Sequence, residues 1–110
     1  MVNSVKEAIQ RIEAITELTG KVAYDHFTTA KQLPFAVYTY DFSTGGADDY
    51  NAVQYIEFTI ELYSEIRDFS LEEKIIKAFI DVEIQSGSDY INEERMYQTT
   101  FNFTFPQKIS

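Results

Sequence analysis

The chain has 110 residues, no cysteine and a formal net charge of -9. That length makes one domain with a single core, and the lack of thiols excludes disulfides and thiolate metal sites. Its opening residues 1–7 lack the basic start and apolar run of a secretory signal, and no apolar stretch nears the ~20 residues that span a bilayer.

The expectation is therefore a protein made and folded in the cytosol. Its charge is uneven. Residues 1–31 balance, residues 32–73 set nine carboxylates against Arg67 alone, and residues 74–110 carry one net negative charge. Such a middle third repels phosphate backbones, which argues against specific nucleic-acid binding. The plainer reading is that the acidity keeps the protein soluble.

In chain order, residues 4–18 read as a helix. Ser4 and Glu7 have the spacing of a capping box, and Val5, Ala8, Ile9, Ile12, Ile15 and Leu18 form one apolar stripe. Gly20 is the natural stop, because glycine adopts the left-handed cap without penalty. Residues 21–27 suggest a short strand, 28–33 a loop, and Pro34 opens a strand over 35–42 rich in Val37, Tyr38 and Tyr40. The polar, glycine-bearing segment 43–51 is too long for a tight hairpin.

The clearest strand spans 53–63. Ile56, Phe58, Ile60 and Leu62 alternate with Tyr55, Glu57, Thr59, Glu61 and Tyr63, as a sheet covered on one side requires. A second helix is expected over 71–83, capped by Ser70 with Glu73 three residues on, with Leu71, Ile75, Ala78, Phe79 and Val82 facing inward. Residues 85–88 end it. A short strand near 90–93 and a longer one over 97–105 close the chain. The pattern predicts an α+β two-layer domain, a mostly antiparallel sheet of four to five strands with two helices packed on one face.

Chemistry is hard to find. His26 is the only histidine, and Asp25 beside it on a strand should point to the opposite face. No serine lies in a nucleophile elbow. Asp48 and Asp49 lack the ligand ladder of a calcium loop, Gly45-Gly46 lacks the lysine of a phosphate loop, and Glu93, Glu94 and Arg95 read as a charged connection between strands. No catalytic residue, cofactor or metal is assigned.

The eight tyrosines are more informative, since tyrosine is enriched at subunit interfaces. Tyr38, Tyr40, Tyr55 and Tyr63 fall on the two best strands, Tyr50 in the loop between them. With the carboxylates Asp48, Asp49, Glu57 and Glu61 they form the candidate interface. The competing reading is that the rings shield cross-strand neighbours on a half-wet sheet.

The run Leu33-Pro34-Phe35-Ala36-Val37-Tyr38-Thr39-Tyr40, then Gly46-Ala47-Asp48-Asp49-Tyr50-Asn51, then Ile60-Glu61-Leu62-Tyr63-Ser64 resembles a group of small phage and prophage proteins of Gram-positive bacteria. Ser70-Leu71-Glu72-Glu73-Lys74-Ile75 and Glu93-Glu94-Arg95-Met96-Tyr97-Gln98 follow in the same order. These are the minor capsid, or tail-completion, proteins encoded among the head–tail joining genes of long-tailed phages.

The resemblance implies a structural role at the virion head–tail junction. It implies a ring-forming homo-oligomer, commonly of six copies, between the head connector and the tail-tube protein, with no membrane and no specific nucleic acid as partner. It brings no catalytic residues. A small cytosolic regulatory or ligand-binding module, holding an apolar ligand between sheet and helices, is the alternative.

Overall fold

A computed structural model describes residues 2–29, 31–44 and 53–108. In chain order these form α1 (Val5–Glu13), a 3-10 turn (Thr16–Leu18), β1 (Val22–Tyr24), β2 (Phe35–Thr44), β3 (Val53–Ser64), α2 (Phe69–Ala78), β4 (Gln85–Ile91) and β5 (Met96–Lys108). The strands make one sheet in the order β1-β2-β3-β5-β4, antiparallel except for the β1–β2 pair. Both helices lie on one face, so the architecture is the α+β two-layer one expected.

α1 starts where its cap predicts, the Ser4 hydroxyl accepting the Glu7 N–H at 3.1 Å. Glu7 does not reach back to complete the box; its carboxylate accepts a bond from Arg11 at 2.7 Å instead. The helix is shorter than the stripe suggests. Ile15 is extended (φ -75°, ψ 118°), and the Thr19 hydroxyl donates to the Glu13 carbonyl at 2.8 Å. Breaking there still buries both Ile15 and Leu18, and Gly20 turns the chain with φ 75°.

α2 corrects a second expectation. Its cap is Asp68, whose carboxylate accepts the Leu71 N–H at 3.0 Å, not Ser70. The first turn is hidden from periodicity because Phe69 is exposed, lying under the Arg67 guanidinium at 4.5 Å. The helix also stops at Ala78, five residues early, where Arg11 donates to the terminal carbonyl at 3.0 Å. Residues 85–88, expected to end the second helix, are the first half of β4. That strand is mostly exposed at the sheet edge, so it shows none of the alternation that marks a half-buried strand.

The core lies between the helices and one sheet face. Ala8, Ile12, Leu71, Ile75 and Phe79 pack on Ile56, Phe58, Ile60, Leu62, Phe101, Phe103 and Phe105. Phe58 is the hub, stacked on Tyr38 (5.6 Å) and Phe103 (5.4 Å), and Phe103 meets Phe79 at 4.6 Å. One charge enters this layer. Glu72, 8% exposed, accepts a two-pronged bond from Arg67, both at 2.9 Å, and a longer one from the Thr99 hydroxyl at 3.4 Å.

Arg11 ties the helical layer together. Besides the Ala78 carbonyl it bonds both Asp81 oxygens, at 2.7 and 3.1 Å, and its guanidinium sits 5.6 Å from the Phe79 ring centre. This hydrogen bond from Arg11 holds the Asp81 carboxyl well below the usual carboxylate range. Folding therefore releases a proton that the unfolded chain would keep. The stabilisation is complete above about pH 5 and drains as pH falls below ~4, toward the folded value.

Two outcomes follow for urea unfolding. Asp81→Asn lowers stability by about 1 kcal/mol at neutral pH, and the gap to the native sequence narrows steadily toward about pH 2. Glu72→Ala, which removes the two-pronged bond from Arg67 while Thr99 keeps its 2.9 Å contact with the Ser88 hydroxyl, costs about 1.5–3 kcal/mol, whereas an equal cost for Lys77→Ala on the exposed side of α2 would show that the effect is not specific to the buried carboxylate.

Candidate functional site

The helices leave the other sheet face open. Tyr55, Glu57, Thr59, Glu61 and Tyr63 project from β3 onto it, since their alternates are buried beneath the helices. Register then assigns the neighbours. Thr39 pairs with Thr59, Asp41 with Glu57 and Val37 with Glu61, and across β5 Thr59 meets Asn102 while Tyr63 meets Gln98. β4 adds Gln85 and Asp89.

Register also separates the tyrosines. Tyr38 lies opposite Ile60 and Tyr40 opposite Phe58, so both belong to the helix-covered face. There they flank the core, with Tyr24 edge-on to each at 5.6 and 5.8 Å. Burial raises the Tyr38 pKa. The candidate residues thus fall into two groups. Tyr55, Glu57, Glu61 and Tyr63 share the open face, Tyr38 and Tyr40 do not, and Asp48, Asp49 and Tyr50 lie outside the described residues.

One end of the open face is a hydrogen-bonded, partly apolar corner. Tyr63 donates to Glu61 at 2.6 Å, and the Gln98 amide donates to Glu61 at 2.8 Å and to the Tyr63 oxygen at 3.2 Å. Residues 25–29 cross over this end after β1, and Phe27 meets Phe35 edge-on at 5.4 Å, which in turn stacks on Tyr63 at 5.1 Å. The crossing explains why Val37, on the nominally wet face, is only 4% exposed. It leaves a depression of about 510 Å³ bordered by Phe27, Val37, Ile91 and Met96, with His26 and Lys31 at the rim.

His26 and Asp25 do meet, at 2.9 Å, contrary to the strand-based expectation. β1 has already ended, and Asp25 takes φ 62°, which swings its side chain beside the ring. Both are well exposed.

The other end is acidic. A shallow depression of about 590 Å³ is lined by Asp41, Glu57 and Glu83 among Thr39, Thr59 and Asn102. Asp41 and Glu57 are direct cross-strand partners, an arrangement that costs stability in an isolated sheet. Thr59 and Asn102 join across it at 2.8 Å. Among the described residues, no group of three or more His, Cys, Asp and Glu is placed to hold a metal ion, and no helix is long and apolar enough to cross a membrane.

Sequence reading passed over one more feature. Ile66, Phe69, Ile76 and Ile80 are exposed on the outer side of α2 and its approaches, between 38% and 77%. The signal was present as Phe69, Ile76 and Ile80 at helical spacing, but it was masked by the stronger inward stripe of Leu71, Ile75 and Phe79.

Burial first, and then the bond to Glu61, push the Tyr63 phenol well above its ordinary value. The unfolded chain loses that proton near pH 10 while the folded chain keeps it, so stability falls as pH rises past ~10. Tyr63→Phe makes the fall shallower, read from urea midpoints between about pH 8 and 11. An unchanged slope would mean that Tyr63 does not contribute to it.

In fold, the chain is similar to one from the virion of a native gene transfer agent particle, with a TM-score of 0.62 and 13% sequence identity over 88% of each chain. No protein-family model matches the sequence, and no curated protein does. At that identity the likeness establishes a common fold.

Proposed function

We propose that this chain is a non-enzymatic structural subunit of a phage-type virion, working at the head–tail junction as a tail-completion or minor capsid protein. The observation that carries the reading is the fold held in common with a chain of the gene transfer agent virion across 88% of both chains. The ordered sequence resemblance to head–tail joining proteins points the same way. In this reading copies assemble into a ring, of six in the virion, that meets the connector on one side and the tail tube on the other.

The open sheet face suits such a place. Its polar groups are tied to one another, as in the Thr59–Asn102 and Glu61–Gln98–Tyr63 contacts, and its carboxylates would keep it hydrated before assembly. Its carboxylates at Asp41, Glu57, Glu61 and Glu83 would repel a passing phosphate backbone and let the genome slide if this face lines the channel. Asp48 and Asp49 would add to that field from the β2–β3 connection.

A ligand-binding module is the second reading, and one observation favours it. The depression beneath residues 25–29 has apolar walls and a volume in the range of small-molecule sites. The layer between sheet and helices, where such a ligand was first expected, is filled by Phe58, Phe79 and Phe103.

The deciding experiment is made on particles from the source. Mass spectrometry of purified particles is expected to find the chain at a few copies per particle, and deletion of its gene is expected to leave full heads and free tails that do not join. Joined, infectious particles without the chain would end the virion reading and leave the module.

A further inference from the structure

The edges of the sheet are unequal, and main-chain direction tells which groups each leaves free. The Ala36 N–H donates to the Lys21 carbonyl at 3.0 Å, and the Tyr38 carbonyl accepts from Asp25 at 2.8 Å. Even-numbered residues of β2 therefore turn their main-chain groups toward β1, and odd-numbered ones toward β3. Yet β1 covers only Ala36 to Tyr38. Beyond it, Tyr40, Phe42 and Thr44 present N–H and C=O groups at an edge that no strand among the described residues covers.

The same alternation, carried across β3 and β5, turns Asn102, Thr104 and Pro106 away from β3. β4 ends opposite Asn102, so Pro106 sits where no partner strand reaches and its missing N–H costs nothing. That stretch of edge is blunted. β4 itself turns Ser86, Ser88 and Tyr90 outward on the far side of the sheet. Neither the free half of β2 nor β4 contains a lysine or proline, the usual guards against edge pairing.

Each unguarded edge also bears one large exposed aromatic, and both lie on the helix-covered face. Phe42 is 62% exposed and Tyr90 47%. We propose that copies of this chain join edge to edge, the free half of β2 in one copy pairing antiparallel with β4 of the next, with Phe42 opposite Tyr90. Strand directions agree, because β4 runs antiparallel to β2 within one sheet and the neighbour's sheet continues in the same sense.

Charge selects the edges over the open faces, where Asp41, Glu57, Glu61 and Glu83 would confront their own copies. It also selects the register. With Phe42 facing Tyr90, Asp41 meets Ile91 and Asp89 meets Ser43, whereas a two-residue shift would set Asp41 against Asp89. The contact is heterologous, using each edge once per copy, so it propagates from copy to copy and makes a ring where the rotation between copies closes. The choice of β4 over a second β2 as the occupant rests on the ring reading above. Two aromatic rings bury about 150–250 Å² each, well short of the ~1,200 Å² of a stable pair. Each junction is therefore weak alone and depends on ring closure.

A chain without cysteine allows a clean test. Residues directly opposite in a hydrogen-bonded pair have Cα atoms about 5.5 Å apart, within the ~4.4–6.8 Å span of a disulfide. Phe42→Cys and Tyr90→Cys, both at exposed positions, are oxidised separately and as a mixture at high protein concentration, with Lys6→Cys as the collision control. The mixture is expected to yield several-fold more cross-linked dimer than any single variant, and the double variant a ladder of oligomers that ends at a closed ring.

Equal cross-linking by Phe42→Cys alone would overturn the proposal in favour of a two-fold β2 pair. Yields no higher than the Lys6→Cys control would overturn it outright. Cross-linking by the purified mixture, together with joined, infectious particles that lack the chain, would leave the edge contact standing and the virion reading fallen. Particles that contain the chain but do not cross-link at these positions would do the reverse.

Discussion

The structure depends on one constraint, the period-two burial of β3. Ile56, Phe58, Ile60 and Leu62 are all but inaccessible, and β3 is paired on both sides from Gln54 to Tyr63. A slip of one residue would drive Glu57 and Glu61 beneath the helices and lift Phe58 into water. The cost of burying two carboxylates without partners far exceeds any gain from an alternative pairing. Register on β2 and β5 is inherited from that choice, and so is the assignment of every other side chain to the helical or the open face.

That constraint was legible in the sequence, and what followed from it directly was legible too: the α+β class, the inward faces of both helices, the Ser4 cap and the Gly20 turn. β2 was harder. It is apolar on both faces, with Phe35 and Val37 on one and Ala36, Tyr38, Tyr40 and Phe42 on the other, because residues 25–29 cover one end of the open face. Alternation therefore could not decide where Tyr38 and Tyr40 point, and the long connection to β3 supplied no hairpin register to decide it instead. β4 was legible only at its end, where the short strand expected near 90–93 overlaps it at Tyr90 and Ile91, because the rest has too little burial to leave a pattern.

The charged residues of the helical layer show how position changes worth. Arg67 and Arg11 each hold a carboxylate with two bonds, but Glu72 is closed in by Thr99 and the sheet, while Asp81 is partly open to water. The first pair is a fixed point between α2 and the sheet. The second adjusts the contact between α1 and the end of α2, and its strength follows pH. Neither carboxylate was singled out in the sequence, since a glutamate inside a helical stripe and an aspartate after it look alike until packing decides which is covered.

The open face presents a cost that folding alone does not explain. Asp41 faces Glu57 across the ladder, with Glu83 nearby and no lysine or arginine paired to any of the three among the described residues. Swapping either carboxylate for threonine would relieve the repulsion and suit the strand better. Solubility does not demand that placement either, because charge anywhere on the surface would serve. In the proposed ring, the like charges held together on the open face and the uncovered main-chain groups of β2 and β4 each have a use, the edges pairing with neighbouring copies and the face repelling them.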